Sequence, residues 1–378
     1  MGLPAPAIGV FMRAMQAEFG WTRAEISLGP TIFISMLALL SPPLGLIADR
    51  ISAAWLAAFS MLALGLSLFL FSCLGPRLWV YYTAFAVMAV TGCGAGTLVY
   101  MRTINANFVC GRGLAIGLVM TGNGIMAVIL PMLLTPYAAD FGWRQGFVAL
   151  AIVVAISTPV IVLLLSRSPS GRLTLPSTRD VAPSGKTFGE ALRDPISRTM
   201  AACFIMVALS INGVQLHFLS ILADAHVGPK LAGATAGLAG ISLVVGRALS
   251  GYLFDRAFAP RVAASMMTIS AACIGAMAVV GAPAAALGAI AIGLSFGTEL
   301  DLMGYLTARY FGMRAFGRIY GVAYTISLAG AALSNVGLGL IYDATKSYTV
   351  GLYCSAGLLL LSAVLFLTMR RFAPTTPS

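Results

Sequence analysis

The sequence predicts an all-α integral membrane protein made of two six-helix bundles. Three observations carry that reading: an apolar composition, a series of apolar runs at near-regular spacing, and a charged motif that occurs twice. Hydrophobic residues make up 59% of the 378-residue chain and charged residues 9%, with a mean hydropathy of +0.94. A soluble domain carries about 25% charged residues, so the bulk of this chain is suited to a bilayer. The motif closes two of the runs. Gly45-Leu46-Ile47-Ala48-Asp49-Arg50 ends the run that begins at Ile26, and Gly251-Tyr252-Leu253-Phe254-Asp255-Arg256 ends the run from Leu231. Both read G-x-x-x-D-R where a helix leaves lipid. A glycine there lets a neighbouring helix come close, and the charge pair can join another helix end.

Taken in order, the runs of about 20 residues that a spanning helix needs fall near 26–47, 54–74, 79–101, 113–134 and 145–166. A second set lies near 199–221, 231–254, 262–281, 284–307, 318–341 and 349–369. Before the first set, Gly2 to Met15 is apolar but short and holds Pro4, Pro6 and Arg13. It reads as the second half of a spanning helix whose first half lies upstream of Met1, and not as a signal peptide. Counting it gives six spans in each half. The expected organisation is an N-terminal bundle over 1–166, a polar linker rich in Ser, Pro and basic residues over 167–198, and a C-terminal bundle over 199–378.

Charge sets the expected orientation. Arg50, Arg102, Arg112, the basic residues of the linker, Arg256, Arg261, Arg309, Arg314, Arg318, Arg370 and Arg371 fall on one side; far fewer fall on the other. The linker and C-terminus are therefore expected to be cytoplasmic, in an inner or plasma membrane. The net charge of +11 forms no basic stripe, so a nucleic-acid partner is not expected. Six cysteines without C-x-x-C spacing suggest neither disulfides nor a zinc site. Gly92-Cys93-Gly94-Ala95-Gly96 lacks the strand-turn-helix setting of a nucleotide loop and suits close helix packing instead. No cofactor, no metal and no enzymatic nucleophile or cluster are expected.

The repeat extends further. Asn107-Phe108-Val109-Cys110-Gly111-Arg112-Gly113 and Tyr310-Phe311-Gly312-Met313-Arg314-Ala315-Phe316-Gly317-Arg318 are both short basic turns with the same offset as the D-R motifs. Two parallel halves of this kind are a transporter architecture. On these motifs the chain resembles the major facilitator superfamily over essentially its whole length. Within it, the monocarboxylate and oxalate:formate branch is the most similar. That likeness rests on Glu18-Phe19-Gly20-Trp21-Thr22-Arg23, on His217 seven residues before Asp224, and on Gly246-Arg247 with Gly251. The basic tail that usually follows the first D-R motif is missing, since residues 51–54 are uncharged. The lysine that mammalian-type carriers hold in the first helix has no counterpart here.

Arg247 is the foremost candidate. A guanidinium within a span is expensive and should face a cavity or a partner, and its planar fork fits a carboxylate. The resemblance implies that it binds the substrate carboxylate; the alternative is a structural pair with Glu299 or Asp301. Two carboxylates within a span are costly when ionised, which suits Glu299 and Asp301 to carry protons or to balance Arg247. Positions two apart lie on different helix faces, so one of them is expected to reach the site, and Asp301 could bond Tyr305 one turn on. Asn212, Gln215 and His217 form a polar group in the seventh span that could line the pathway. Arg102 and Asn105 suit a loop anchor. The expected function is secondary active transport of a small organic anion, a monocarboxylate, by proton symport or anion exchange, by a monomer. An exporter of neutral or cationic molecules, or a membrane sensor or scaffold that transports nothing, is the alternative.

Overall fold

A computed structural model describes residues 4–48, 53–95, 112–166, 185–312 and 314–370. The chain divides into two compact units, Met1–Ser177 and Thr178–Ser378. The first holds α1 (Pro4–Phe19), α2 (Arg23–Ala48), α3 (Ala53–Ser72), α4 (Leu78–Gly92), α5 (Arg112–Phe141) and α6 (Trp143–Ser166). The second holds a short α7 (Phe188–Arg193), then α8 (Pro195–Asp224), α9 (Pro229–Arg256), α10 (Ala259–Val280), α11 (Ala285–Phe311), α12 (Phe316–Thr345) and α13 (Thr349–Leu367). Among the described residues, eight helices are long and apolar enough to cross a membrane.

The internal repeat read from the D-R motifs has a counterpart in packing. In the first unit α1 lies against α5, α2 against α4 and α3 against α6. The corresponding helices of the second unit make the same three pairings: α8 with α12, α9 with α11, and α10 with α13. Asp49, Arg50, Arg102, Asn105 and the turn at 107–111 lie outside the described residues. The five described cysteines are free.

The turn after α1 shows what Glu18-Phe19-Gly20-Trp21 does. Gly20 takes φ +70°, a left-handed conformation open to glycine at little cost. That reversal folds the Trp21 ring onto Phe19, with centroids 4.6 Å apart. Phe141-Gly142-Trp143-Arg144 repeats the device between α5 and α6, with Gly142 at φ +84°. The two turns meet at Glu18, which accepts from the Trp143 indole at 2.7 Å and from Arg144 at 2.6 Å. Below them Phe11, Phe71, Tyr81, Phe85 and Phe147 form a buried aromatic core, and the Tyr81 hydroxyl donates to the Ile26 carbonyl at 2.7 Å.

The described part of the expected linker is ordered against the second unit. Lys186 N–H donates to the Phe311 carbonyl at 2.8 Å, and its ammonium pairs with Asp194. Thr187 and Glu190 form a capping box at the start of α7. Asp194 caps α8, accepting from Ile196 N–H at 2.9 Å. Pro195 follows in the first turn, where its missing N–H costs nothing. This cap is why α8 starts four residues before its apolar run.

These contacts hold two carboxylates below the ordinary range. For Asp194, burial alone would raise the value, but the Lys186 and Ile196 hydrogen bonds and the nearby charges of Lys186 and Arg370 outweigh it. For Glu190 the cause is the Thr187 backbone N–H and hydroxyl. A lowered native value means the stabilisation is present above the unfolded value and is lost as pH falls through the native one. Hydrogen exchange should therefore find the amides of 186–194 protected at neutral pH and opening below about pH 4, before the spanning helices do. Asp194→Asn should open them at neutral pH; equal protection in that variant would contradict the assignment.

Candidate functional site

The site grows from a glycine seam between α9 and α11. A Cβ at Gly297 would stand 2.6 Å from the Leu243 carbonyl and 2.8 Å from Arg247 N; one at Gly293 would meet Leu243 N at 2.6 Å. From the other side, a Cβ at Gly246 would lie 3.1 Å from Leu294 Cα. The two backbones are in contact because these positions have no side chains, a small-xxx-small approach. Gly251 does not share in this. Among the described residues a Cβ there would meet nothing within 4 Å, so they supply no close approach at Gly251 of the kind expected for the D-R glycine. The side chain of the adjoining Asp255 is outside the described set, and Arg256 stands over the Tyr252 ring at 4.2 Å. Gly45 falls within α2.

The seam carries Arg247 onto Asp301. Arg247 Nε faces Asp301 Oδ2 at 3.1 Å, an ionic contact without the alignment of a hydrogen bond. Their side chains are 23% and 38% exposed, while Nε itself is buried, so the pair is open at its edges and closed at the contact. That exposure lies away from the most apolar face of α9. The apolar exposed stripe of α9 runs through Leu238, Ile241, Val245 and Tyr252, and Arg247 sits two residues from Val245, roughly 200° around the helix.

Glu299, two residues before Asp301, turns the other way as the spacing predicts. It is buried and accepts from the Ser327 hydroxyl of α12. Tyr305 does not serve Asp301. Its hydroxyl donates to the Phe254 carbonyl at 3.0 Å, tying α11 to the end of α9, and its ring carries the Arg309 guanidinium at 5.9 Å.

His217 is fully buried, and both its ring nitrogens are engaged. Nε2 lies 3.1 Å from the Asn335 carbonyl and Nδ1 2.8 Å from the Tyr348 hydroxyl. A carbonyl only accepts, so Nε2 carries the hydrogen; in the neutral ring Nδ1 then accepts from Tyr348. One side chain thus holds α12 and the start of α13 to α8. Ser334 adds to the join, accepting from Gly213 N–H at 2.8 Å. Asn212 donates back to its own helix at the Ala208 carbonyl, 3.1 Å away, and Gln215 is half-buried. The structure therefore brings Arg247 and Asp301 together and gives Glu299 and His217 their own partners. The sequence reading omitted Ser327, the Gly293/Gly297 pair and two stacked tyrosines, Tyr320 and Tyr324. The Gly-x-x-x-Gly spacing of 293–297 was the signal available for one of them.

An apolar bundle of spanning helices that keeps a part-exposed ion pair off its apolar outer stripe has the character of a solute carrier. Comparison gives the family. The chain matches the sequence model of the Major Facilitator Superfamily over residues 3–335, and it belongs to that superfamily. It is a multi-pass membrane transporter, not an enzyme. It is 24% identical to human monocarboxylate transporter 11 over 329 residues, 81% of this chain and 67% of that one. It is 25% identical to YcxA, an uncharacterized MFS-type transporter of Bacillus subtilis, over 89% of this chain and 84% of that protein. Among solved structures, a bacterial homologue of the human lysosomal transporter Spinster, inward-facing and unoccupied, has the same fold. Its TM-score is 0.70 at 17% identity, over 98% of this chain and 95% of that one.

The seam is open to a direct test. Gly297→Leu must push α9 away from α11, at a cost of about 1–3 kcal/mol, and should lower the melting temperature in detergent. Gly251→Ala, at an open position, should leave it unchanged or slightly higher. Equal melting of Gly297→Leu and the parent protein would contradict the close approach.

Proposed function

We propose that this transporter moves a small organic anion, a monocarboxylate, by alternating access, with proton symport or anion exchange as the driving cycle. The observation that carries the proposal is the Arg247–Asp301 pair: a part-exposed guanidinium inside a spanning helix, already serving one carboxylate. A substrate carboxylate has the chemistry of the group Arg247 holds at rest. The incoming anion can take both arms of the guanidinium fork, where Asp301 uses Nε without good alignment.

Displaced Asp301 would then be an unpaired charge in a span, which is expensive. Taking up a proton removes that cost, so substrate and proton travel together; return of the pair to rest releases both. If another anion takes the place of the first before the cycle resets, the same exchange gives antiport. Glu299, held by Ser327, is the second candidate for the proton. For His217 the supported role is to join α8, α12 and α13. Asn212 and Gln215 lie on the same helix, where Gln215 is the one not bonded back to it. The D-R motifs, Gly45/Asp49/Arg50 and Gly251/Asp255/Arg256, are proposed to steady the change of state.

The excess of Lys and Arg on one side supports a cytoplasmic linker and C-terminus in an inner or plasma membrane. The ordered contacts of Lys186, Asp194 and the Arg370 carbonyl, which accepts from Tyr310 at 2.6 Å, all lie at that end of the second unit.

Uptake of labelled lactate, pyruvate, formate and oxalate into proteoliposomes tests the reading. Saturable uptake of at least one of the three monocarboxylates is expected, reduced by about 30-fold or more in Arg247→Gln, since removing one partner of a charge pair that bound substrate closes off from water costs about 2–5 kcal/mol; oxalate serves as the dicarboxylate comparison. An inward proton gradient stimulates symport and leaves exchange unchanged. Correctly folded protein that takes up none of these anions, or uptake indifferent to Arg247→Gln, would overturn the proposal.

A further inference from the structure

Beside the ion pair, α12 carries a ladder of aromatic rings whose place the transport cycle above leaves without a role. Phe316, Tyr320 and Tyr324 are spaced four residues apart. Phe316 and Tyr320 stack at 5.8 Å and 18°, and Tyr320 and Tyr324 at 6.1 Å and 11°. Among the described residues no further aromatic ring continues the stack beyond Tyr324.

Where that face points follows from the helix itself. The exposed residues Arg318, Val322, Thr325, Ala329, Leu333 and Leu340 recur every three, four or seven positions and form the lipid side of α12. Tyr324 is two residues from Val322, hence roughly 200° around the helix. Yet it is 37% exposed. A large side chain exposed on that side is open to the inner face of the helix bundle. Ser327, on the same half of α12, is buried against Glu299, so this is also the side that meets α11.

The ladder and the ion pair are neighbours. The Tyr320 ring packs beside Gly304 of α11, one turn beyond Asp301, with Cε2 3.9 Å from where a Cβ would stand. With Tyr320 beside Gly304 and Ser327 on Glu299, α11 and α12 run past each other in opposite directions, so Tyr324 falls level with the turn of α11 that holds Asp301. Neither hydroxyl is hydrogen-bonded to another described residue.

We infer that this transporter prefers monocarboxylates with a planar aromatic ring next to the carboxyl group, the carboxylate on Arg247 and the ring stacked on Tyr324. The inference rests on the reading of Arg247 as the carboxylate ligand. The charge selects the anion; the unstacked tyrosine selects among anions. A flat ring continues the stack at the spacing that Tyr320 and Tyr324 already keep, and offset stacking adds to simple apolar burial. A puckered ring of similar size gains the burial without the stacking. Small aliphatic acids such as lactate leave the tyrosine unstacked.

The experiment compares proteoliposome uptake of benzoate, cyclohexanecarboxylate and lactate, by the parent protein and by Tyr324→Leu, Tyr324→Phe and Arg247→Gln. The parent protein should show a KM for benzoate roughly 3- to 10-fold below that for cyclohexanecarboxylate. Tyr324→Leu should abolish that gap with lactate KM unchanged, and Tyr324→Phe should keep it. A gap that survives Tyr324→Leu, or no gap in the parent protein, overturns the inference and leaves carboxylate transport standing. Loss of all three substrates from folded parent protein overturns the carboxylate reading itself. A fall in the uptake of all three in Tyr324→Leu, restored for all three by Tyr324→Phe, would mark the ring as part of the scaffold and also overturns the inference.

Discussion

A guanidinium held against a carboxylate inside a helical membrane bundle is the constraint around which α9 and α11 are arranged. Either charge alone is costly there. Together they need two helices close enough to bring the groups into contact, and α9 and α11 are brought that close because Gly246, Gly293 and Gly297 offer no side chains at the crossing. The register that this contact imposes fixes the rotation of α11. Asp301 then faces α9, and Glu299 faces α12 and Ser327. The Tyr305 bond to Phe254 and the burial of Leu302, Met303 and Leu306 lock the same rotation.

The pair is also a poised one. Its members are partly exposed and imperfectly aligned, so the net stabilisation is small, on the order of 1 kcal/mol or less. A tight, dry, bidentate pair would resist exchange. A loose one open at its edges can trade its carboxylate for another, and that is the property a carrier needs. His217 illustrates the contrary case: fully buried, with both nitrogens engaged between helices, it has the character of a rivet.

How much of this the sequence disclosed depends on the range of the information. The apolar runs and the repeated D-R motif are local, and they gave the helical membrane class and the doubled architecture, which the recurring helix pairings match. Arg247 announced itself because its cost in a span is a property of one residue. The two-residue spacing of Glu299 and Asp301 separated their faces correctly. It did not say which face met Arg247, because that follows from a glycine seam between helices about 50 residues apart. Tyr305 was a plausible partner for Asp301 by helical spacing alone, until a carbonyl from α9 competed for its only hydrogen. The partners of His217 lie 118 and 131 residues away, beyond any local pattern. The tyrosine ladder was visible as four-residue spacing, but its exposure on the side away from lipid was not.

The central claim is that a substrate carboxylate and Asp301 compete for Arg247. The direct measurement is the equilibrium affinity for a labelled monocarboxylate, in detergent, across a range of pH in which the substrate stays ionised, for the parent protein and Asp301→Asn. The claim predicts that parent affinity rises as pH falls, because a protonated Asp301 no longer competes. Asp301→Asn should bind roughly two- to five-fold more tightly at the alkaline end, the worth of a partly exposed ion pair, and should show no pH dependence. Weaker binding by Asp301→Asn, or the same pH slope in both proteins, would mean that Asp301 does not compete with substrate for Arg247.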